Sequence, residues 1–247
     1  MPSLRLNKAI AASGLCSRRR ADELIARGEV RVNDVLVRKL GTRIDPEQDT
    51  VMVGGKRLDF LDPGRKKHLY LVLNKPPGVI SSARDPQGRP IVLDLLPESI
   101  TKHRVLPVGR LDFDSEGLLL LTNDGTMIHR LTHPSHEVPK TYRVLVQGPT
   151  TPDRLETMRR GMTLKEGEKL APVSVNVVKR QQDRTWLEMT LNQGVNRQIR
   201  RMCRELGLTV IRLIRVRQGP VDLGGLSRGK FRYLSASEIE QLTKTQK

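Results

Sequence analysis

Residues 109–125 read GRLDFDSEGLLLLTNDG, a charged loop running straight into an apolar strand. Leu118–Thr122 has strand length and is closed by the breaker cluster Asn123-Asp124-Gly125. Asp112 and Asp114 precede Gly117 and the leucines, so two carboxylates stand in a loop at the entrance of a buried strand. Solvation alone can account for carboxylates on a loop. Arg110 beside Asp112 points further, to a carboxylate held ionised inside a phosphate-binding cleft.

Working outward from that strand, Leu69–Leu73 is a strand candidate ending at Asn74-Lys75-Pro76-Pro77-Gly78, and Tyr142–Val146 alternates as another. Thr151-Pro152 starts a helix that Gly161 ends, with proline where its missing N–H does no harm. Strands follow at Val173–Val178 and Trp186–Leu191, then a short basic helix Gln198–Glu205 and a strand Val210–Val216. Strands outnumber helices and lack regular βαβ spacing. The fold class is therefore α+β, with a mixed, mainly antiparallel sheet and flanking helices over residues 69–242, and residues 243–247 read as a frayed tail.

Residues 1–60 read as a separate small unit. Leu6, Ala9 and Ile10 share a helical face that Gly14 stops, and Ser17 can cap a second helix carrying Ala21, Leu24 and Ile25. Val30, Val32, Val35 and Val37 alternate around Asn33-Asp34, a hairpin signal, and Val51 and Val53 precede Gly54-Gly55. Arg18, Arg19 and Arg20 occupy the first turn of the second helix, where positive charge opposes the helix dipole. A bound phosphate would explain them; so would a solvated surface cluster. Residues 61–68 (LDPGRKKH) have the turn residues and basic run of a linker.

The charge limits the partners. Lys and Arg number 44 against 27 Asp and Glu, a formal net charge of +17 that asks for a polyanion. No apolar stretch approaches the roughly 20 residues that a membrane span needs, so nucleic acid is favoured over a membrane. Aromatics make up only 3%, which argues against broad stacking platforms for single strands. Cys16 and Cys203 lack metal-ligand spacing and read as buried residues of a reducing compartment, and the N-terminus lacks a signal-peptide core, so the cytoplasm is expected. No dinucleotide glycine motif, P-loop or nucleophile elbow is present. His129, His133 and His136 are close in sequence, but Pro134 interrupts them and no Asp or Cys ligand is near, so no metal is expected.

The segment RLNKAIAASGLCSRRRADELIARGEVRVN resembles the ribosomal protein S4-like RNA-binding domain over roughly residues 3 to 50. Residues 109–125 are similar to the catalytic signature of the RsuA/RluB/RluE/RluF family of bacterial rRNA pseudouridine synthases. LVLNKPPG (71–78), Lys140-Thr141-Tyr142, GVNRQIRRMC (194–203) and LIRVRQG (213–219) match that family in order. The resemblance implies a small S4-like domain followed by a pseudouridine synthase domain that isomerises a uridine of rRNA or a pre-ribosomal particle. Within it Asp112 would be the catalytic aspartate, Tyr142 would face the uracil, and Arg200 would pair with Asp112. Arg110, Asn196, Arg197 and Ile199 would position the nucleotide. Arg5, Lys8, Arg18, Arg19, Arg20, Lys75, Lys140, Arg201, Arg215 and Arg217 would grip RNA. Val195 departs from the pattern, since many relatives carry another arginine there.

The chemistry agrees with such a site. Conversion of uridine to pseudouridine detaches the base at N1 and rejoins it through C5, with no redox change and no group donor. It needs a carboxylate acting as nucleophile or base, and a base drawn out of its stack. No cofactor is expected. A monomer suits an enzyme docking on a large particle, and the LIRVR strand and Gly88-Arg89-Pro90 look more like the family's large-subunit members. Two other readings stay open: a non-catalytic ribosome-assembly factor, which would not explain Asp112, and an rRNA methyltransferase, against which the missing glycine-rich loop counts.

Overall fold

The computed structural model describes residues 3–59 and 68–244, and its contacts divide the chain into two units, Met1–Lys67 and His68–Lys247. The expected linker, residues 61–68, lies outside the described residues except for His68.

In the first unit β1 (Leu4–Arg5) leads into α1 (Leu6–Ser13), whose buried Leu6, Ala9 and Ile10 line one face. Gly14 ends the helix in the left-handed conformation. Ser17 caps α2 (Arg18–Ala26), its hydroxyl accepting from the Arg20 N–H at 3.2 Å. β2 (Val30–Val32) and β3 (Val35–Val37) form the expected hairpin, and Asn33 and Asp34 both take positive φ, as a two-residue turn between strands requires. β4 (Arg43–Ile44) pairs with β1, while β5 (Val51–Val53) pairs with β2 and with β6 (Lys56–Arg57). One aliphatic core joins the helices to these strands.

The second unit runs β7 (Tyr70–Lys75), α3 (Glu98–Thr101), β8 (Leu106–Pro107), β9 (Glu116–Thr122), α4 (Gly125–Thr132), β10 (Lys140–Gln147), α5 (Pro152–Arg160), β11 (Met162–Thr163) and β12 (Lys169–Leu170). It continues with β13 (Ser174–Gln181), β14 (Arg184–Leu191), α6 (Gln198–Glu205), β15 (Thr209–Gln218), β16 (Val221–Asp222), β17 (Phe231–Tyr233) and α7 (Ala236–Lys244). Its main sheet has the order β13-β14-β10-β15-β9-β7-β17, with β16 added to β15 and β8 to β9. Among the described strand pairs only β9–β15 is parallel, so the sheet is mixed and mainly antiparallel.

β9 is central and buried on both faces. Leu118 and Leu120 enter one core with Met127, Leu131 and Leu242, and Leu119 and Leu121 enter another with Leu71, Leu73 and Ile100. Each buried leucine contributes about 1.5–3 kcal/mol, so this run anchors the loop that precedes it. The strand starts at Glu116, earlier than the apolar run suggests, because Arg212 (2.9 Å) and Arg228 (2.7 Å) neutralise the buried Glu116 carboxylate. Gly117 takes φ 103°, and a Cβ there would stand 2.3 Å from the Arg215 carbonyl oxygen. Only glycine lets β9 and β15 approach so closely.

Three helices carry no expectation from the sequence: the single-turn α3, and α4 and α7. Asp124 does more than close a strand: its carboxylate accepts from the Thr126 and Met127 N–H groups and caps α4. α7 has a reciprocal cap between Ser235 and Glu238 and buries Leu242. It runs through Thr243 and Lys244, which the sequence leaves to a frayed tail; residues 245–247 are outside the described residues.

Candidate active site

A cleft of about 540 Å³ opens in the second unit, lined among others by Arg110, Asp112, Ser115, Lys140, Tyr142, Asn196, Arg197, Ile199, Arg215 and Gln218. That size falls within the roughly 300–1,000 Å³ common for ligand pockets. Asp112 sits on the loop entering β9, its side chain 32% exposed. Two buried side chains fix that loop from behind. Lys75 Nζ donates to the carbonyls of Ser115 (2.7 Å), Pro76 (3.0 Å), Asp112 (3.1 Å) and Phe113 (3.3 Å). Ser81 Oγ donates to the Leu111 carbonyl at 2.9 Å and accepts from the Leu111 N–H at 3.1 Å. Lys75 is fully buried, and burial pulls its pKa down to about 8 against the raising influence of Asp112, Asp114 and Glu116. This corrects its expected role: Lys75 cannot reach RNA and instead holds the Asp112 backbone.

The partner of Asp112 also differs from expectation. Arg197 Nη1 lies 3.5 Å from Asp112 Oδ2, whereas Arg200 Nη2 donates to the Asp114 carbonyl at 3.3 Å. The reason is local: Arg197 occupies the N-cap of α6 in left-handed backbone (φ 49°), which turns its side chain towards the cleft. Both charges of the Arg197–Asp112 pair remain about a third or more exposed, so the pair is weak, below about 1 kcal/mol, and a substrate can displace it. Ile199 is buried at the cleft floor. Tyr142 packs against two cores and also lines the cleft, next to a bulge in the β10–β15 pairing. Arg110 and Asn196 are exposed at its edge.

The expected RNA-gripping residues divide into groups. Arg5, Lys8, Arg18, Arg19 and Arg20 are exposed on the first unit, Arg20 with an ion pair to Glu23 at 2.7 Å. Arg217 is exposed and pairs with Asp222 at 2.7 Å. Arg201 pairs with Glu168 (2.5 Å) and Glu166 (3.5 Å), and its side chain is 19% exposed. Arg215 is a further correction: it is 2% exposed, and its Nε donates to the Leu118 carbonyl at 2.7 Å. Lys140 is half-buried, its Nζ donating to the Val138 carbonyl at 2.7 Å.

Sequence reasoning missed the polar atoms that the cleft wall leaves unmatched. Ser115 Oγ, Gln198 Oε1, Arg215 Nη2 and Gln218 Oε1 are buried without a hydrogen-bond partner, and all four residues line the cleft. Buried polar atoms are almost always paired, so these four are polar groups that the protein's own atoms leave open at the cleft wall. Of these residues only Arg215 was named from the sequence. Elsewhere, Cys203 is buried and Cys16 half-buried. The rings of His129 and His133 stack at 4.9 Å, and among the described residues no cluster of His, Cys, Asp or Glu is placed to hold a metal ion.

The family model described as RNA pseudouridylate synthase matches residues 69–205, and the S4 domain matches residues 4–58. An uncharacterized RNA pseudouridine synthase of Aquifex aeolicus (strain VF5) is 40% identical over 99% of this chain and 95% of its own length. The ribosomal large subunit pseudouridine synthase B of Bacillus subtilis (strain 168) is 39% identical over 96% of this chain and 95% of its own. A crystal structure of a pseudouridylate synthase superposes with a TM-score of 0.69 at 31% identity, covering 97% of this chain and 100% of that one. With its motifs in order along a full-length match, the chain belongs to the RNA pseudouridylate synthase family, a family of isomerases, in the RsuA/RluB branch that carries an N-terminal S4 domain.

Proposed function

We propose that the chain isomerises one uridine of large-subunit rRNA to pseudouridine, with Asp112 as the catalytic carboxylate. One observation carries the assignment of Asp112: its loop is gripped from below by Lys75 through four carbonyls, which presents the carboxylate at the cleft beside Tyr142. Preorganisation of this kind is what a reacting group requires. The target uridine leaves its stack at a cost of a few kcal/mol and enters the cleft, where Tyr142 and Ile199 receive the base. Asp112 acts as nucleophile or base at the sugar or the ring. The N1–C1′ bond breaks, the base turns, C5 bonds to C1′, and the C5 proton is lost as N1 gains one. Arg197 balances the Asp112 charge, and Arg200 steadies the loop through the Asp114 carbonyl. Arg110 and Asn196 at the edge hold the nucleotide's backbone, and the arginines of the S4 domain add grip without reading sequence. The large-subunit assignment is supported by the names of the Bacillus subtilis relative and of its Yersinia pestis counterpart, 38% identical over 96% of this chain. We further propose that the chain works as a cytoplasmic monomer without cofactor or metal. The balanced isomerisation supports the last point, and no described helix is long and apolar enough to cross a membrane.

The test is carbodiimide labelling and primer extension on unmodified large- and small-subunit rRNA, free and in pre-ribosomal particles, incubated with the protein. One new stop in large-subunit rRNA is expected. A stop in small-subunit rRNA would overturn the subunit assignment, and tight binding without any stop would favour an assembly factor.

A further inference from the structure

The floor of the cleft beyond Tyr142 carries charge that the reaction does not use. β15 pairs with β10 so that Arg215 stands opposite Tyr142 and Gln218 opposite Lys140, with Val216 left over as a bulge. In a regular strand, residues three apart face opposite sides. The bulge breaks that alternation, and burial switches phase across it: Arg215 is 2% exposed, Arg217 is exposed, and Gln218 is 1% exposed. Lys140, Arg215 and Gln218 are thereby gathered on the cleft wall beside Tyr142. Lys140 is two residues from Tyr142 on the same face of β10, about 6.6 Å along the strand.

Two cations so placed call for an anion. Burial and the neighbouring Arg215 charge push the Lys140 pKa down to about 8, and no carboxylate offsets them. Asp112 and Glu137 line the same cleft, yet among the described residues neither comes within ion-pair distance of Lys140 or Arg215. Arg215 Nη2, a buried cationic donor, has no hydrogen-bond partner. Leaving buried charge uncompensated is costly, so a protein keeps such a wall where a ligand completes it. We infer that Lys140, backed by Arg215, forms an anion subsite that seats one phosphodiester of the RNA next to the uridine held at Tyr142. The base and its backbone are thus fixed by one bulged strand pair, Tyr142 taking the base and Lys140 the phosphate. The subsite rests on the RNA-modifying reading above.

The test uses the full chain and the rRNA fragment that carries the mapped uridine. Single neutral methylphosphonates are placed in turn at the phosphates flanking that uridine, and binding is measured for wild type, Lys140→Gln and Lys140→Arg. One methylphosphonate should weaken wild-type binding by about ten-fold or more, as for a lost charge-assisted contact. In Lys140→Gln the same substitution should cost less than about two-fold, and the salt slope should fall by about one. Lys140→Arg should restore the methylphosphonate penalty. Effects of Lys140→Gln and of every methylphosphonate that simply add would overturn the subsite. A second arm separates a free ion from RNA: inorganic phosphate should raise the melting temperature of wild type more than that of Lys140→Gln. Phosphate protection together with purely additive RNA data would assign the wall to a free anion and reject the phosphodiester. Conversion of the fragment by wild type reports on the RNA-modifying reading separately, so either can fail alone.

Discussion

Lys75 shows how a residue read as a surface cation becomes a structural post. Its ammonium is sealed from solvent and shared among the Pro76, Asp112, Phe113 and Ser115 carbonyls, so its loss should loosen the Asp112 loop without touching RNA. Lys75→Met is expected to lower kcat by about 100-fold, the scale of a misplacement near 1 Å, with RNA affinity kept within a few-fold. Single-turnover kinetics beside a binding titration checks the split. The pH dependence has a definite sign. Lys75 titrates at about 8 when folded and at its ordinary 10.5 when unfolded, so between these values the unfolded chain holds the proton that the folded chain releases. The burial cost is in full force below pH 8 and is relieved as pH rises, so wild type should gain stability relative to Lys75→Met from pH 7 to 10. Thermal melts at both pH values check this, and a wild type that loses stability relative to Lys75→Met over that range would contradict it. Asp112 and Tyr142 were legible in the sequence because each lies within a short ordered motif. The arginine beside Asp112 was not, because the left-handed backbone of Arg197 redirects a side chain in a way that spacing does not reveal.

At the scale of elements, the parallel contact of β9 with β15 ties the Asp112 loop to the wall of the cleft. Gly117→Ala would place a methyl group 2.3 Å from the Arg215 carbonyl oxygen and force a non-glycine residue to φ 103°. Overpacking plus backbone strain should cost at least about 3 kcal/mol, read as a lowered denaturation midpoint in urea, with activity lost in the same variant. A change under 1 kcal/mol would show that the strands can part. Most elements were legible from periodicity and breakers: α6 follows its basic amphipathic pattern, and the Asn33-Asp34 hairpin follows its turn residues. α7 escaped notice although Ser235 and Glu238 carry the spacing of a reciprocal cap. The bulge at Val216 had no signal at all, since it is set by the register of β10 against β15, two strands far apart in sequence.

For the whole molecule the net charge of +17 sets the scale of RNA binding, and the exposed Arg18, Arg19 and Arg20 of the S4 domain are part of it. Changing all three to Ala should weaken RNA binding and reduce the salt slope by up to about three, because each lost phosphate contact releases one counterion fewer. An unchanged slope would remove them from the interface. The division into a small RNA-binding unit and a larger catalytic one was readable from composition and motif order, whereas the cleft became visible only once β10, β15 and the Asp112 loop were brought together. The account as a whole stands on Asp112. Its most direct test is to map pseudouridine in unmodified rRNA incubated with wild type or with Asp112→Asn, measuring RNA affinity in parallel. The account predicts a single stop with wild type, none with Asp112→Asn, and affinities within a few-fold, because phosphate contacts dominate binding. Near-normal product from Asp112→Asn would contradict it.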